Sequence, residues 1–397
     1  MDDSFKLPQA EEGMSKLAAL FKTQIDGASQ AFTKWFSLSS AVTFGISEAK
    51  EAISELIEID SALTEIGRTS ALTGQQLEDL GDHAFDMASK YGMSAASYLA
   101  SVQEMLRAGF DNAEGMAELS LLAQAAGGMA PNAAEDYLTA ADRAYRLGGS
   151  VGELTRMLDS QSYVAGRASV SLQDMAAATS EAAFTAARCG ISIDELSALI
   201  AVASSNTKKS GHEVGAALNG IFTVLQDAGD GAAADALGSL GISMTETIAS
   251  SEKLKTPIGL LKELSSAFRE LPEGGAGRTG ILDGIGAGDN ADALSAILSN
   301  WESYESMLGL YSQGAGNAAR EARENAGDME GSLNRLANTW TDTIGNVATP
   351  SAILTAVNAL NDLLSIINKI TGVLGPLGTA GLGAGLFAGI QNIGKAV

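Results

Sequence analysis

The residues that could carry out chemistry are few and widely separated in this sequence. There are two histidines, His83 and His212, and a single cysteine, Cys189. One cysteine cannot form an intrachain disulfide, and most cysteine-based metal sites need several thiolates close together. Because Cys189 has no histidine near it and stands at a predicted helix end, we interpret it as a small buried apolar residue. We therefore predict no catalytic residues, no cofactor and no metal ligands, and we expect that the protein is not an enzyme.

Three short motifs resemble ligand sites by their letters. Residues 275–280 match the G-x-G-x-x-G pattern of dinucleotide-binding loops, but that site needs a preceding strand, and here Pro272 stands just before it. Chance in a chain with 45 glycines explains the match better. His212-Glu213 resembles the start of a deaminase motif whose paired cysteines are missing. Lys208-Lys209 is a basic pair between predicted helices, and we expect it to cap helix carbonyls rather than to bind phosphate.

The composition argues against a nucleic-acid-binding protein and indicates how the chain folds. The 25 Lys and Arg residues against 48 Asp and Glu residues give a net charge of −23 over 397 residues, which speaks against a general nucleic-acid surface. A chain of 397 residues is too long for one ordinary core and suits two or three compact units, and apolar residues at 46% argue against a wholly disordered acidic chain. Aromatic residues are only 5% and glycine is abundant, so we expect thin helix contacts lined by small side chains.

Apolar residues recur at the spacing of helices. Leu196, Leu199, Ile200 and Ala203 fall on one helical face, and alternation typical of strands is nearly absent. The sequence has six prolines, and none lies between residues 9 and 130 or between 132 and 256. The sequence predicts an all-α fold with negligible sheet.

The predicted helices meet at corners that share one pattern: glycine, a large apolar residue, then a small polar residue. Glycine suits the left-handed position just after a helix, and the polar residue can accept hydrogen bonds from the free amides of the next helix. In three corners a glutamate follows three residues after the polar residue, which predicts capping boxes starting at Asp111, Ser192 and Ser243. The four corner glycines are Gly92, Gly109, Gly190 and Gly241.

Breaks in this pattern suggest how the chain is organised. Residues 227–239 read as a loop, and residues 272–290 read as a longer hinge or loop. We predict four parts: a polar or amphipathic N-terminal segment at 1–45, the main helical core at 46–271, a hinge loop with closing helices at 272–349, and an apolar C-terminal helix and membrane-active tail at 350–397. The acidic N-terminus lacks the apolar stretch of a secretory signal.

An apolar seam follows Pro350. It is short for a coiled coil, so it predicts either self-association or an amphipathic helix docked on its own domain. The seam residues are Ile353, Val357, Leu360, Leu364 and Ile367.

Residues 370–394 contain no charged residue, and as a helix rising ~1.5 Å per residue they would cover a bilayer core of ~30 Å. The run also contains eight glycines and Pro376, which lipid tolerates better than water does. It predicts either a membrane-active segment or a poorly ordered tail. The candidate membrane-active residues are Leu374, Leu377, Leu382, Leu386, Phe387 and Ile390.

An ordered series of segments runs through roughly residues 60–345. It consists of residues 63–69 with 73–74, 88–94, 106–110, 186–196, 207–211, 215–218, 240–242, 294–298 and 314–343. No single segment is specific, but their order resembles the core domain of phage tail tape measure proteins.

The resemblance implies a structural protein of the virion, located inside the tail tube and tail tip. Such a protein sets tail length during assembly and leaves during genome ejection, when its apolar segments help DNA cross the host inner membrane. The implied partners are copies of the chain itself, with a homotrimer as the first expectation, the tube and the tail tip or baseplate hub proteins, and the host membrane. Sequence-specific nucleic-acid binding is not implied. Some members carry peptidoglycan hydrolase modules, which nothing in this sequence matches.

One departure from the family concerns length. A ruler is a long extended helix, whereas 397 residues would reach only about 600 Å if unbroken, and this chain is broken by corners. We therefore expect a compact module at one end of a ruler, or a system with a short tail.

Two other functions stay open on the sequence. One is a membrane-active helical protein, such as a pore-forming toxin or a secretion translocator, which has no reason to carry the ordered series. The other is the tape measure of a tail-like bacteriocin.

Overall fold

The structure, a computed structural model, describes residues 58–226, 231–248, 251–286 and 288–326. Within them the chain forms two compact units: residues 58–85 with Ser94–Ala96 make the first, and Asp86–Met93 with residues 97–326 make the second. The helices Pro257–Glu270 and Ala276–Ile281, which flank residue 272, both belong to the second unit. The boundaries predicted at residues 45 and 350 lie outside the described residues.

Helices dominate the described chain, so the predicted all-α fold is confirmed. In chain order the elements are α1 (58–69), α2 (Gly74–Tyr91), α3 (Ala95–Arg107), α4 (Ala113–Gly127), α5 (Pro131–Tyr145), α6 (Val151–Ala168), α7 (Leu172–Arg188), α8 (Ile193–Thr207), α9 (Gly211–Gln226), α10 (Ala232–Ser239), β1 (Thr245–Ile248), β2 (Ser251–Leu254), α11 (Pro257–Glu270), α12 (Ala276–Ile281), a π-helical turn (Leu282–Gly286), a 3-10 turn (Gly288–Asn290), α13 (Ala291–Ser299), α14 (Trp301–Tyr311) and α15 (Asn317–Ala326).

A small antiparallel hairpin interrupts the helices. β1 and β2 pair with Thr245 opposite Leu254, so the helix predicted to start at Ser243 is wrong. Two physical reasons favour the strand. The segment Thr245–Ile248 is rich in β-branched residues, and the Ser243 hydroxyl accepts the N–H of Thr245 at 3.2 Å, forming a local turn instead of a helix cap.

The four corner glycines lie at helix ends in the left-handed region, with φ of +70° at Gly92, +87° at Gly109, +74° at Gly190 and +69° at Gly241. At each corner the residue after glycine donates its N–H to the carbonyl five residues earlier, as Ile191 does to Ala186 at 2.9 Å. This pairing satisfies helix carbonyls that would otherwise lack donors.

Three further helix ends use left-handed residues other than glycine: Arg146, Ser169 and Lys208, with φ of 54° to 57°. The sequence gives little signal for them, because residues with a Cβ adopt this conformation at some steric cost. The N–H of each residue donates to the carbonyl four residues earlier.

Of the two other predicted helix starts, one has the predicted capping box and one lies one residue later than predicted. Ser192 accepts the N–H of Glu195 at 3.3 Å and donates its own N–H to that carboxylate at 2.8 Å, which is the capping box predicted there. Helix α4 begins one residue later than predicted. Its cap is Asn112, which accepts the N–H of Gly115 at 3.1 Å, and Asp111 lies outside the helix. Both residue types cap well, so the sequence alone did not distinguish them.

The two segments predicted as loops contain helices. Within residues 227–239 the described part contains α10, and within residues 272–290 the described part contains α12 and two tight helical turns. Glycine misled this prediction, because some of these glycines allow close packing and do not mark a loop. At Gly284, for example, an added Cβ would lie 2.7 Å from the backbone oxygen of Ala232.

The core of the second unit forms where helices approach closely. Helices α7 and α9 lie side by side, and their contacts pair Asp174 with Gly211, then Ala178 with Gly215. A Cβ at Gly211 would lie 2.1 Å from the Asp174 carbonyl oxygen, and one at Gly215 would lie 2.8 Å from the Ala178 oxygen. The two backbones therefore touch, as the small side chains of the sequence predicted.

Other helices surround this pair. Helix α7 also packs against α5, α8 contacts α6, α7, α13 and α14, and α15 packs against α4 and α6. The largest fully buried side chains of this core include Tyr137, Phe222, Phe268 and Tyr311.

A single methyl group at Gly215 should weaken this packing. Gly215→Ala places Cβ within 2.8 Å of Ala178 backbone atoms, so α7 and α9 must separate, and we expect a loss of about 1–3 kcal/mol. The measurement is the midpoint of chemical denaturation followed by circular dichroism. The control is Gly166→Ala on α6, an exposed site with no atom within 4 Å, where alanine should add up to ~1 kcal/mol. Equal stability of the two variants would contradict the close contact.

Candidate functional site

A buried amide joins four helices near the centre of the second unit. Gln161 on α6 is fully buried and accepts a hydrogen bond from the Tyr137 hydroxyl at 2.8 Å. Its amide nitrogen donates to the Thr179 hydroxyl at 3.1 Å and to the Ser197 hydroxyl at 2.8 Å. These three partners come from α5, α7 and α8. One side chain thus fixes the register of four helices.

The partners of Gln161 complete their own hydrogen bonds within their helices. The Thr179 hydroxyl donates to the Met175 carbonyl at 2.8 Å, and the Ser197 hydroxyl donates to the Ile193 carbonyl at 2.6 Å. Burial, with a smaller contribution from nearby Tyr311, raises the pKa of the Tyr137 phenol well above its usual value. Tyr137 therefore stays a neutral donor at any physiological pH.

A second polar group, which we call the anchor cluster, holds helix α15. It consists of Asp159, Ser162, Asn317, Glu321 and Asn325. The Asp159 carboxylate accepts the N–H of Gly316 at 2.7 Å and the N–H of Ala318 at 3.0 Å. It thereby satisfies amides at the start of α15 that the helix itself cannot pair.

The anchor cluster continues along the helix. Asn317 donates to the Ser162 hydroxyl at 2.9 Å and to the Glu321 carboxylate at 2.8 Å, and Ser162 donates to Glu321 at 2.7 Å. At the far end, Asn325 donates to the Ala125 carbonyl at 2.7 Å, at the end of α4. Helix α15 is thus held at its start, middle and end by residues that are distant in sequence.

The turn before α15 approaches α6 through glycine. A Cβ on Gly314 would lie 2.5 Å from the Ser160 Cα, so only glycine fits this contact. Within residues 317–325, the buried apolar side chains of α15 are Ala318 and Ala322. Polar contacts therefore provide most of what holds this helix.

The residues first weighed for chemistry are placed apart from one another. Cys189 is half-buried at the end of α7, with its sulfur 3.5 Å from the Gln226 side-chain oxygen. His212 is exposed, and its Nδ1 lies 3.3 Å from the Glu181 carboxylate. Across the part of the chain that the structure describes, no group of three or more His, Cys, Asp or Glu residues is arranged to hold a metal ion.

The other two motifs, residues 275–280 and Lys208-Lys209, make contacts that belong to the fold. Helix α12 begins within residues 275–280 and follows helix α11, not a strand, and the Arg278 guanidinium donates to the Leu271 carbonyl at 2.9 Å. Lys208 ends α8 in the left-handed conformation, and Lys209 pairs with the Asp292 carboxylate at 3.1 Å.

The predicted self-association and membrane residues lie outside the described residues. Among the described helices, none combines the length and the apolar character needed to cross a bilayer. The residues that stay predictions are Ile353, Val357, Leu360, Leu364 and Ile367 of the seam, and Leu374, Leu377, Leu382, Leu386, Phe387 and Ile390 of the uncharged run.

Comparison with known protein families matches residues 81–285, just over half of the chain, to the phage-related minor tail proteins. The chain belongs to this family. The matched range contains the Gln161 network, and α15 lies beyond it. No solved structure matches the chain. As a phage minor tail protein, it is a structural component of the virion tail and associates with other tail components.

Sequence reasoning missed both polar clusters of this minor tail protein. A signal was present in residues 159–162, Asp-Ser-Gln-Ser, which follow Leu158 in α6 and are all buried. Four polar residues in a helix segment that is otherwise buried imply partners from other helices. The identity of these partners could not be inferred from the neighbouring sequence, because Asn317 is 155 residues away from Ser162.

Replacing the buried amide tests the first cluster. Gln161→Met keeps the side-chain length but leaves the Tyr137 hydroxyl without its acceptor, so we expect a loss of about 1–3 kcal/mol. Tyr137→Phe in the Gln161→Met background should recover part of this loss, because the unpaired donor is removed. A double-mutant cycle on denaturation midpoints measures the coupling. Strictly additive effects would contradict it, and exposed Gln173→Met on α7 is the control.

Proposed function

We propose that this minor tail protein is the tape measure of its tail. The observation that carries the proposal is the ordered series of segments over residues 60–345, which runs through the whole family-matched range of 81–285. The proposal places the chain in the tail lumen and at the tail tip during assembly, where it contacts tube proteins and the tip or baseplate hub.

The proposed action is steric and needs no catalysis. Tail length is set by how far the chain extends inside the tube, and the helical body is the compact module at one end of that ruler. Internal hydrogen bonds such as those of Gln161 give the module a fixed shape that neighbouring tail proteins can recognise. We propose accordingly that the protein has no enzymatic activity, no cofactor and no sequence-specific nucleic-acid binding.

Self-association belongs to the same proposal. A chain on the axis of a symmetric tube meets its own copies around that axis. The seam at residues 353–367 offers matching apolar faces, and a trimer is the copy number we propose.

Changing the length of the ruler tests the proposal. Four heptads inserted in frame after Asn368 should lengthen the assembled tail by about 42 Å, since each helical residue adds ~1.5 Å. Electron micrographs of purified particles give the distribution of tail lengths. A Gly/Ser insertion of equal residue number is the control, because a flexible coil adds no fixed length. Identical distributions for all three particles would show that this chain does not set tail length.

The proposal extends to genome ejection. Once the chain leaves the tail, the uncharged run at 370–394 could partition into the host membrane and help DNA to cross it. Inside the tail the same run must be covered by the tube, the hub or sister chains, because a large exposed apolar patch promotes aggregation.

A charge in the middle of the run separates packing from membrane crossing. Leu382→Lys should cost about 2.5–3.5 kcal/mol at the bilayer centre. Particles with this change should assemble and adsorb normally but deliver DNA poorly, whereas Leu382→Met should behave like the parent. Delivery at the parental rate would remove the membrane role. Failure to assemble would assign the run to packing in the tail instead.

The uncharged run also favours a second candidate, a membrane-active helical protein such as a pore-forming toxin or secretion translocator. Dye release from lipid vesicles by the purified full chain, combined with an unchanged tail length in the insertion experiment, would support that candidate. Contractile or flexible tail particles without heads would instead identify the tape measure of a tail-like bacteriocin.

A further inference from the structure

Helix α15 differs from the long core helix α9 in what holds it. Helix α9 buries Val214, Leu218, Ile221, Phe222 and Leu225, all large apolar side chains. Among residues 317–325, the buried apolar side chains of α15 are two alanines, and the helix also carries two arginines and two glutamates in ten residues. Since apolar burial supplies most of the free energy that keeps an element folded onto its neighbours, α15 is bound far less strongly than α9.

The contacts that do hold α15 are hydrogen bonds with replaceable partners. When α15 leaves α4 and α6, the Asp159 carboxylate, the Ser162 hydroxyl and the Ala125 carbonyl all become accessible to water. Water then replaces the lost protein partners, so each of these hydrogen bonds adds far less to the hold on α15 than its strength in a dry interior would suggest. The free energy of opening this helix is thus lower than that of unfolding the core.

A short glycine-containing link allows the movement. Residues 312–316 connect α14 to α15, and Gly316 has a φ of +75° with open space around the position that a Cβ would take. Gly314 contacts the α6 backbone at Ser160, so residues 314 and before stay packed on α6 and the pivot lies at Gly316.

We propose that α15 is a strap that opens from α4 and α6 as a separate unit while α5 to α9 stay folded. An open strap releases residues 317–326 from α4 and α6 without disturbing the Gln161 network. This inference concerns the fold itself and does not rest on the proposed function.

Hydrogen exchange of the full-length chain, followed by mass spectrometry under native conditions, tests the strap. Amides of residues 320–326 should exchange faster than those of residues 172–226. Asp159→Asn removes the carboxylate that accepts the Gly316 and Ala318 amides, and should speed exchange in 320–326 by at least about tenfold. Exchange in residues 172–226 should not change.

A matched control uses another carboxylate at a helix start. Asp174 accepts the Gly211 N–H at 2.8 Å but contacts α9 instead of α15, so Asp174→Asn should leave residues 320–326 unchanged. If Asp159→Asn does not fold, Asn325→Ala weakens the opposite end of the strap and should give the same local acceleration. The proposal is overturned if residues 320–326 exchange together with 172–226 in the parent, or if the variant that folds accelerates both regions equally.

Discussion

Contact between backbones at small residues is the constraint on which the rest of this structure depends. With aromatic residues at only 5% and glycine abundant, helices approach one another through small residues, and at those positions their main chains touch. Gly211 against Asp174 and Gly215 against Ala178 are the clearest cases between helices, and Gly314 makes a similar contact between a turn and Ser160 of α6. At such distances a single methyl group is too large, and the sequence of each helix is therefore tightly coupled to that of its neighbour.

Close approach of the helices also explains why Gln161 and Asp159 each form hydrogen bonds with other parts of the second unit. Helices packed this tightly leave little room for water, so a buried amide must find its partners on other helices. Gln161 finds them on three, and its bonds give direction and register to contacts that small apolar side chains alone would leave loosely specified. Asp159 plays the equivalent part for α15.

For a phage minor tail protein, a body of this kind suits a role based on shape. The core helices are joined by backbone contact and the Gln161 network, whereas α15 is joined mainly by its anchor cluster. The second unit thus contains helices that are held to different degrees, because helices such as α4 and α9 bury several large apolar side chains, whereas the buried apolar residues of α15 within 317–325 are alanines.

The sequence by itself determined the all-α class and many of the helix ends, since these depend on residues within one turn of each other: Gly190 with Ile191, or Ser192 with Glu195. It also indicated close helix contacts through its small residues. Local reasoning failed where neighbours compete, as at Ser243, where β-branched residues formed a hairpin, and at Gly284, where glycine serves packing instead of a loop. Only the tertiary structure decided which helices are neighbours and how Gln161 and Asp159 are paired. The partners of Asp159 lie 157 and 159 residues away, and no local pattern encodes a contact whose free energy depends on the folding of everything between.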